Sequence, residues 1–326
     1  MYPLKFDNYY VEKVWGGRDL EAFRSNLPEG YIGESWDVAC HKNGMSIVEN
    51  GFLKGKSLKE LIDEFGSDLV GIKISKEWFP LLIKFLNTSD KLSVQVHPDD
   101  EYGRRVENDM GKTEVWHVVD AKEGATLIVG LKDKCTKEEL RSAVKSGNLE
   151  EYMNVVEVRK GDTYFIKSGL IHTIGPGIVI AEIQQNSDTT YRFYDYNRGR
   201  EIHVEKALDV IDLSLKGQKS DGLTIQREGY TKTFISLCKE FSLEKYNITD
   251  ACIESSDLER FYIFTCVEGE GDISSKDGVE KINMGDSILI PATLGEYKLK
   301  GNMKLLKSYV PDVEKVKKEI LDEIVK

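Results

Sequence analysis

The sequence predicts a mainly β protein built as two sandwich or barrel modules with small helical insertions. Three observations carry this. Short runs alternating apolar and polar residues recur along most of the 326 residues, broken by Gly, Pro, Asp and Asn. Helical patterns are few, short and sharply punctuated. One pattern occurs twice: Gly161-Asp162, then Thr163 to Ile166 and Lys167; and Gly285-Asp286, then Ser287 to Ile290 and Pro291. The first copy continues through Ser168-Gly169 to His172, and the second through Ala292-Thr293-Leu294 with no His.

Residues 1–56 read as short strands and turns, with a Gly-Gly turn in Val14 to Leu20 and a strand over Ile32 to His41. Ser57 with Glu60 makes a capping box, Leu58, Leu61, Ile62 and Phe65 form one stripe, and Gly66 stops the helix. Phe79 to Phe85 is a continuous apolar run, read as a buried strand. Ala125 to Leu131 is a strand. Thr136 and Glu139 cap a helix whose face is Leu140, Ala143 and Val144, stopped by Gly147. Strands follow at Val155 to Arg159, Ile178 to Gln185 and Thr190 to Tyr196, then a helix marked by Val204, Ala207, Leu208 and Ile211. The polar, Gly-containing segment 214–229 reads as a linker between a domain over 1–213 and one over 230–326. The second domain is again strand-rich and closes on a helix with Val313, Val316, Ile320 and Ile324 on one side.

Composition is that of a soluble globular chain, 40% apolar and 31% charged. Net charge is 45 − 56 = −11, which argues against nucleic acid or an anionic membrane as a partner. No basic leader followed by an apolar run is visible, and no apolar run approaches the ~18 residues of a membrane span. Five scattered cysteines without a CxxC read as reduced thiols, so a cytoplasmic location is expected. The sequence does not fix the oligomeric state; a monomer is favoured.

The chemistry concentrates in Lys91 to Asp120. Leu92, Val94 and Val96 alternate with Ser93, Gln95 and His97, a strand that puts Gln95 and His97 on one face about 7 Å apart. After Pro98 and a polar excursion from Glu101 to Met110, a second run places Lys112, Glu114 and Trp116 on a common face. An imidazole, a carboxylate and an amide oxygen make a plausible zinc set, short of one ligand.

Gly161-x5-Lys167-x-Gly169-x2-His172 matches the second cupin signature, with Lys where Pro is usual. Gln95-x-His97 with Glu114 stands for the first, with Gln in place of the first His. Together with HPDDEYG, GKTE, GLIHTIGPG and AEIQQNSDTTYRFYDYNR, these motifs make the chain resemble the type I mannose-6-phosphate isomerases (phosphomannose isomerases), the short bacterial form in particular. The resemblance runs from VWGG near Val14 to the C-terminal repeat.

It implies two cupin (jelly-roll) β-barrels, the second lacking metal ligands. It implies one zinc per chain held by Gln95, His97, Glu114 and His172, and interconversion of mannose 6-phosphate and fructose 6-phosphate through an enediol. Arg192 matches the family's active-site arginine, and Lys112 its lysine before the zinc-binding Glu. Arg192 or Lys112 would stabilise the enediolate. Arg192, Lys112 and Arg198 are the candidates to clamp the substrate phosphate. One departure stands out. Longer members read N-H-K-P-E where this chain reads Met110-Gly111-Lys112-Thr113-Glu114. A His proposed there as acid or base has no counterpart, and the proton-transfer base is left open.

Two rivals are weighed against this. An iron cupin oxygenase would carry three His and a Glu, which Gln95 and a total of five histidines argue against. A non-enzymatic phosphosugar-binding protein would not need an intact ligand set with Lys112 beside it. His41, His117 and His203 are expected to be structural.

Overall fold

The structure is a computed structural model and describes residues 1–325. The N-terminal domain is two facing antiparallel sheets. Six strands run in the spatial order Thr163–Ile166, Glu114–Ala121, Ile178–Gln185, Leu81–Thr88, Ile32–Val38 and Tyr9–Gly17. Five face them in the order Met153–Glu157, Thr126–Leu131, His172–Ile174, Val94–Val96 and Tyr191–Tyr194. Trp116, Val118 and Ile180 from the first sheet meet Leu127, Val129 and Ile174 from the second in one core. Period-two alternation is what lets each strand supply this core with every other residue.

Both outer faces are covered, which is why Ile178–Gln185 is buried along its whole length. Behind the five-stranded sheet, the helices Lys137–Ser146 and Val204–Val210 pack Leu140, Ala143, Ala207 and Leu208 onto Val94, Val96 and Phe193. Behind the six-stranded sheet, Val115, Val119, Ala181 and Ile183 pack against Leu243, Ile263, Val267 and Leu306 of the C-terminal domain. At about 1.5–3 kcal/mol for each fully buried side chain of this kind, this shared core locks the two domains together.

The C-terminal domain is a single nine-stranded sheet whose main path ends on Leu4–Lys5 at one edge and Leu223–Arg227 at the other. The sequence expectation of a linker over 214–229 is therefore modified. Leu223–Arg227 is an edge strand paired along its length with Tyr230–Leu237, and the start of the chain joins the second sheet through Leu4↔Leu289. The Gly16-Gly17 pair is also not a turn. It ends the strand Tyr9–Gly17 after a register shift, and a Cβ on Gly16 would sit 2.5 Å from the Tyr31 carbonyl oxygen. The excursion after Pro98 is helical, as Asp100–Tyr102 and a wide turn Gly103–Glu107 capped by Asp99. Both predicted capping boxes form. In the last helix, Val313–Val325, Val316 and Ile320 pack on the C-terminal core while Ile324 is exposed.

The repeat seen in the sequence is a repeat of geometry. Gly161 and Gly285 have φ of +94° and +92°, and each donates its N–H to a neighbouring strand, at Val118 and Cys266 respectively, over 2.8 Å. Those two residues return a 2.8 Å hydrogen bond to Asp162 and Asp286. Counting along the paired strands, Ile166 faces Glu114 and Ile290 faces Tyr262. Tyr262 thus stands in the second domain where Glu114 stands in the first.

Candidate metal centre and active-site pocket

Glu114 and His172 from strands of the two facing sheets meet His97, the residue just after the strand Val94–Val96, with ligand atoms all within 4.8 Å of one another. All three are buried. His172 pairs across the sheet with Gln95, while Glu114 comes from the opposite sheet beside Gln184. The turn before His172 is tied to His97, since Gly169 N–H donates to the His97 carbonyl over 2.9 Å. A Cβ on Gly169, at φ +87°, would approach the Val210 carbonyl oxygen to 3.1 Å, so this turn needs glycine.

The hydrogen bonds fix which imidazole nitrogens point inward. His97 Nδ1 lies 3.0 Å from the Thr189 carbonyl and His172 Nδ1 2.7 Å from that of Leu170. A carbonyl only accepts, so each Nδ1 carries the proton and each Nε2 presents a lone pair. The two Nε2 atoms are 3.1 Å apart, and Glu114 lies 3.7 and 3.5 Å from them. Glu114 Oε1 is buried without a hydrogen-bond partner. Burial, then Lys112, hold the His97 pKa well below its ordinary value, and burial takes that of His172 down to about 3. Two lone pairs and an orphaned carboxylate oxygen facing one point form a site that a cation completes. Gln95, whose side chain approaches His172 Nε2 to 3.4 Å, is placed to supply a fourth ligand.

Lys112 stands at the mouth of this centre, bonded to His97 Nε2 at 3.1 Å and ion-paired with Glu114 Oε2. Its segment is braced from outside. Gln185 accepts from Thr113 N and donates to Asp100, and Asp100 accepts from Gly111 N, all three over 2.9 Å. At Gly111 a Cβ would lie 2.5 Å from Asp100 N. The backbone itself excludes a side chain there.

Gln95 and Lys112 open into a pocket of about 270 Å³ that also takes in Arg192. The sequence reading missed Lys13, Glu34, Lys84, Glu182 and Arg200, all of which line this pocket. Lys84 and Glu182 are buried cross-strand partners in the middle of what read as apolar strands. A charge at the centre of an otherwise apolar run was the available signal. Burial opposes the Lys84 charge, but Glu34, Glu182 and Asp188 outweigh it and hold its pKa above the ordinary lysine value. Burial raises the pKa of Glu182, with Lys112 opposing. Trp116 Nε1 donates to Glu182 over 2.9 Å.

Arg192, opposite Gln95 on the neighbouring strand, has a buried Nε without a partner, and burial and then Arg200 lower its pKa. Asp195, buried, accepts from both Arg198 and Arg200. Arg198 is turned away, onto Asp90 and the Lys91 carbonyl, and is not among the pocket's lining residues. Of the two arginines after Tyr196, Arg200 is the one that faces Arg192 in the pocket. His203 accepts from Arg192 N, His117 bonds Thr163, and His41 sits beside Asp109, all outside the metal centre.

Residues 4–145 match the family model described as phosphomannose isomerase type I, catalytic domain, and residues 230–310 match that of the mannose-6-phosphate isomerase cupin domain. The chain is 38% identical over 315 residues to mannose-6-phosphate isomerase ManA of Bacillus subtilis, covering 94% of this chain and 99% of that one. The chain belongs to the type I phosphomannose isomerase family. The mannose-6-phosphate isomerase of Streptococcus mutans is 34% identical over 94% of this chain and 98% of its own. The crystal structure of the mannose 6-phosphate isomerase from Bacillus subtilis superposes with a TM-score of 0.89 at 34% identity, over 94% of this chain and 99% of that one. A mainly β phosphomannose isomerase with a C-terminal cupin domain is thus what this chain is.

Proposed function

We propose that the chain interconverts mannose 6-phosphate and fructose 6-phosphate by proton transfer through an enediol, with one zinc ion held by Gln95, His97, Glu114 and His172. The observation that carries this is the orphaned Glu114 Oε1 beside two imidazole lone pairs, next to a pocket that Gln95 and Lys112 share with Lys13, Lys84, Arg192 and Arg200. When bound, zinc supplies a redox-silent Lewis acid for the sugar's carbonyl and hydroxyl oxygens.

The chain's own residues do the rest. Arg192 and Arg200 hold the phosphate in the pocket, with Asp195 orienting Arg200. Lys112 faces the reacting carbons and stabilises the negative charge of the enediolate, an effect of about 3–4 kcal/mol for one well-placed donor. The proton moves between C1 and C2 on the Lys84–Glu182 pair. Lys84 is held protonated by its acids, so Glu182 is the member that accepts, with a raised pKa suited to returning the proton. Trp15 and Leu92 close the pocket walls against water. In this reading the enzyme works as a monomer in the cytoplasm, where its five cysteines stay reduced.

The test is turnover of mannose 6-phosphate by the purified chain, with chelation and zinc add-back. Loss and recovery of fructose 6-phosphate formation is the expected result. A folded, zinc-loaded chain that makes none would end this reading. Glu182→Gln should lower kcat by roughly 10²–10⁴-fold while leaving zinc content unchanged; a retained kcat would exclude Glu182 as the acceptor.

A further inference from the structure

A second cleft lies between the two domains, on the reverse side of the strand that carries Glu114. It has a volume of about 550 Å³, within the range of small-molecule sites, and shares no residue with the active-site pocket. Its floor is one face of the C-terminal sheet, set in two rows by strand register. Thr231, Asn247, Lys304 and Glu268 form one row, each opposite the next. Thr224, Thr233 and Lys245 form the row beside it. His117 and Lys160 close it from the N-terminal domain.

The charge here runs against that of the chain. The protein carries −11 overall, yet this cleft holds three lysines and one carboxylate. Glu268 is shared between Lys160 and Lys304, at 2.8 Å from each. Among the described residues, Lys245, half-buried, has no carboxylate within 4.0 Å. His117 is engaged through Nδ1 with the Thr163 hydroxyl at 2.8 Å, and its Nε2 makes no hydrogen bond. Burial lowers the Lys245 pKa, with Lys304 adding to it, and burial and then Lys245 and Lys304 take His117 down to about 3. The positive groups repel one another; Glu268 is divided between Lys160 and Lys304, and Asp221 acts on Lys245 only from beyond ion-pair distance.

We propose that this interdomain cleft binds a small phosphate-bearing anion, with Lys245 and Lys304 as its cations and, as donors, the Thr231 hydroxyl and one hydroxyl of the mutually bonded Thr224–Thr233 pair. A phosphate has the acceptor oxygens and the charge that this array lacks, and ammonium groups recognise it as point charges. The remaining volume admits the organic part of a phosphate monoester, with Val118 and Val267 in the walls.

The experiment uses the full, zinc-loaded chain carrying Arg192→Ala and Arg200→Ala, which removes both arginines of the active-site pocket. Glycerol 2-phosphate and inorganic phosphate are the probes, followed by calorimetry at constant ionic strength. One site per chain is expected, weakened at least tenfold by adding Lys245→Gln and Lys304→Gln. Tighter binding of glycerol 2-phosphate identifies a phosphate monoester as the ligand; equal or tighter binding of inorganic phosphate identifies the free anion. In the unsubstituted chain, the His117 imidazole resonances should shift on adding either probe and not on adding potassium chloride. Binding that survives the lysine substitutions, or no binding and no His117 shift, would overturn the proposal. With the arginines intact, Lys245→Gln/Lys304→Gln should leave kcat and KM unchanged.

Discussion

Glu182 and Lys307 occupy the same register position in the two domains and carry opposite charges. Glu182 lies opposite Lys84 on one side and Trp116 on the other; Lys307 lies opposite Glu244 and Phe264. Each belongs to a ladder of three. Glu34, Lys84 and Glu182 cross the first domain, and Lys232, Glu244 and Lys307 the second, with 3.3 Å between Lys84 and Glu34 and 3.2 Å between Lys232 and Glu244. In the first domain the ladder lines the active-site pocket. In the second, Lys307 is buried under Tyr246 and Tyr262 and paired with Glu254 at 2.7 Å. One framework thus lines a pocket in one copy and packs a core in the other.

The buried ladder of the second domain predicts a stability effect without a catalytic one. Lys307→Met leaves Glu254 without the cation it pairs with, in a ladder where only Glu244 keeps Lys232, which costs about 3–5 kcal/mol. Denaturant unfolding should show that loss, while kcat of the fraction that remains folded stays at the parent value.

The ladder of the first domain predicts an acid-dependent term. Burial opposes the Glu34 charge, but Lys84 and Lys13 outweigh it and bring its pKa from 4.5 to about 2. A depressed carboxylate stabilises the fold above its unfolded pKa, and that stability is lost as pH falls through the folded value. The stability gap between the parent chain and Glu34→Gln should therefore be full above pH 4.5 and close between there and pH 2. The shift corresponds to about 3 kcal/mol. Paired urea titrations across that window measure it.

Metal binding should be visible in stability as well as turnover. Free zinc at one hundred times its dissociation constant adds about 2.7 kcal/mol to folding. Glu114→Gln should remove most of that increment, and His117→Gln none of it. Thermal unfolding with and without a chelator reads both.

The two arginines after Tyr196 should separate in kinetics. Arg200→Ala removes a charged phosphate contact, worth about 1.5–3 kcal/mol, and should raise KM roughly 10- to 100-fold. Arg198→Ala breaks only its bonds to Asp90, Asp195 and the Lys91 carbonyl and should leave KM within about threefold.

Lys112 should act on the chemical step. Lys112→Met is expected to lower kcat by roughly 10²–10³ with zinc content retained, as for loss of one oxyanion donor. Metal analysis beside steady-state kinetics distinguishes that from collapse of the His97–Glu114 pairing.

The sequence by itself determined the strand-rich architecture, both capped helices, the repeated Gly-Asp turn and the grouping of Gln95, His97, Glu114 and His172. These are local signals. Alternation, capping residues and glycine spacing act over a few neighbours, and each motif carries its own geometry. Only the tertiary structure decided that Lys84, Glu182 and Glu34 line the pocket, that Arg200 rather than Arg198 enters it, and that Leu223–Arg227 is an edge strand. Those outcomes depend on which strands become neighbours. A charged residue within an apolar strand is buried opposite a partner from a distant part of the chain. The register between Leu81–Thr88 and Ile178–Gln185, residues nearly a hundred positions apart, is fixed by the packing of both sheet faces rather than by either segment alone.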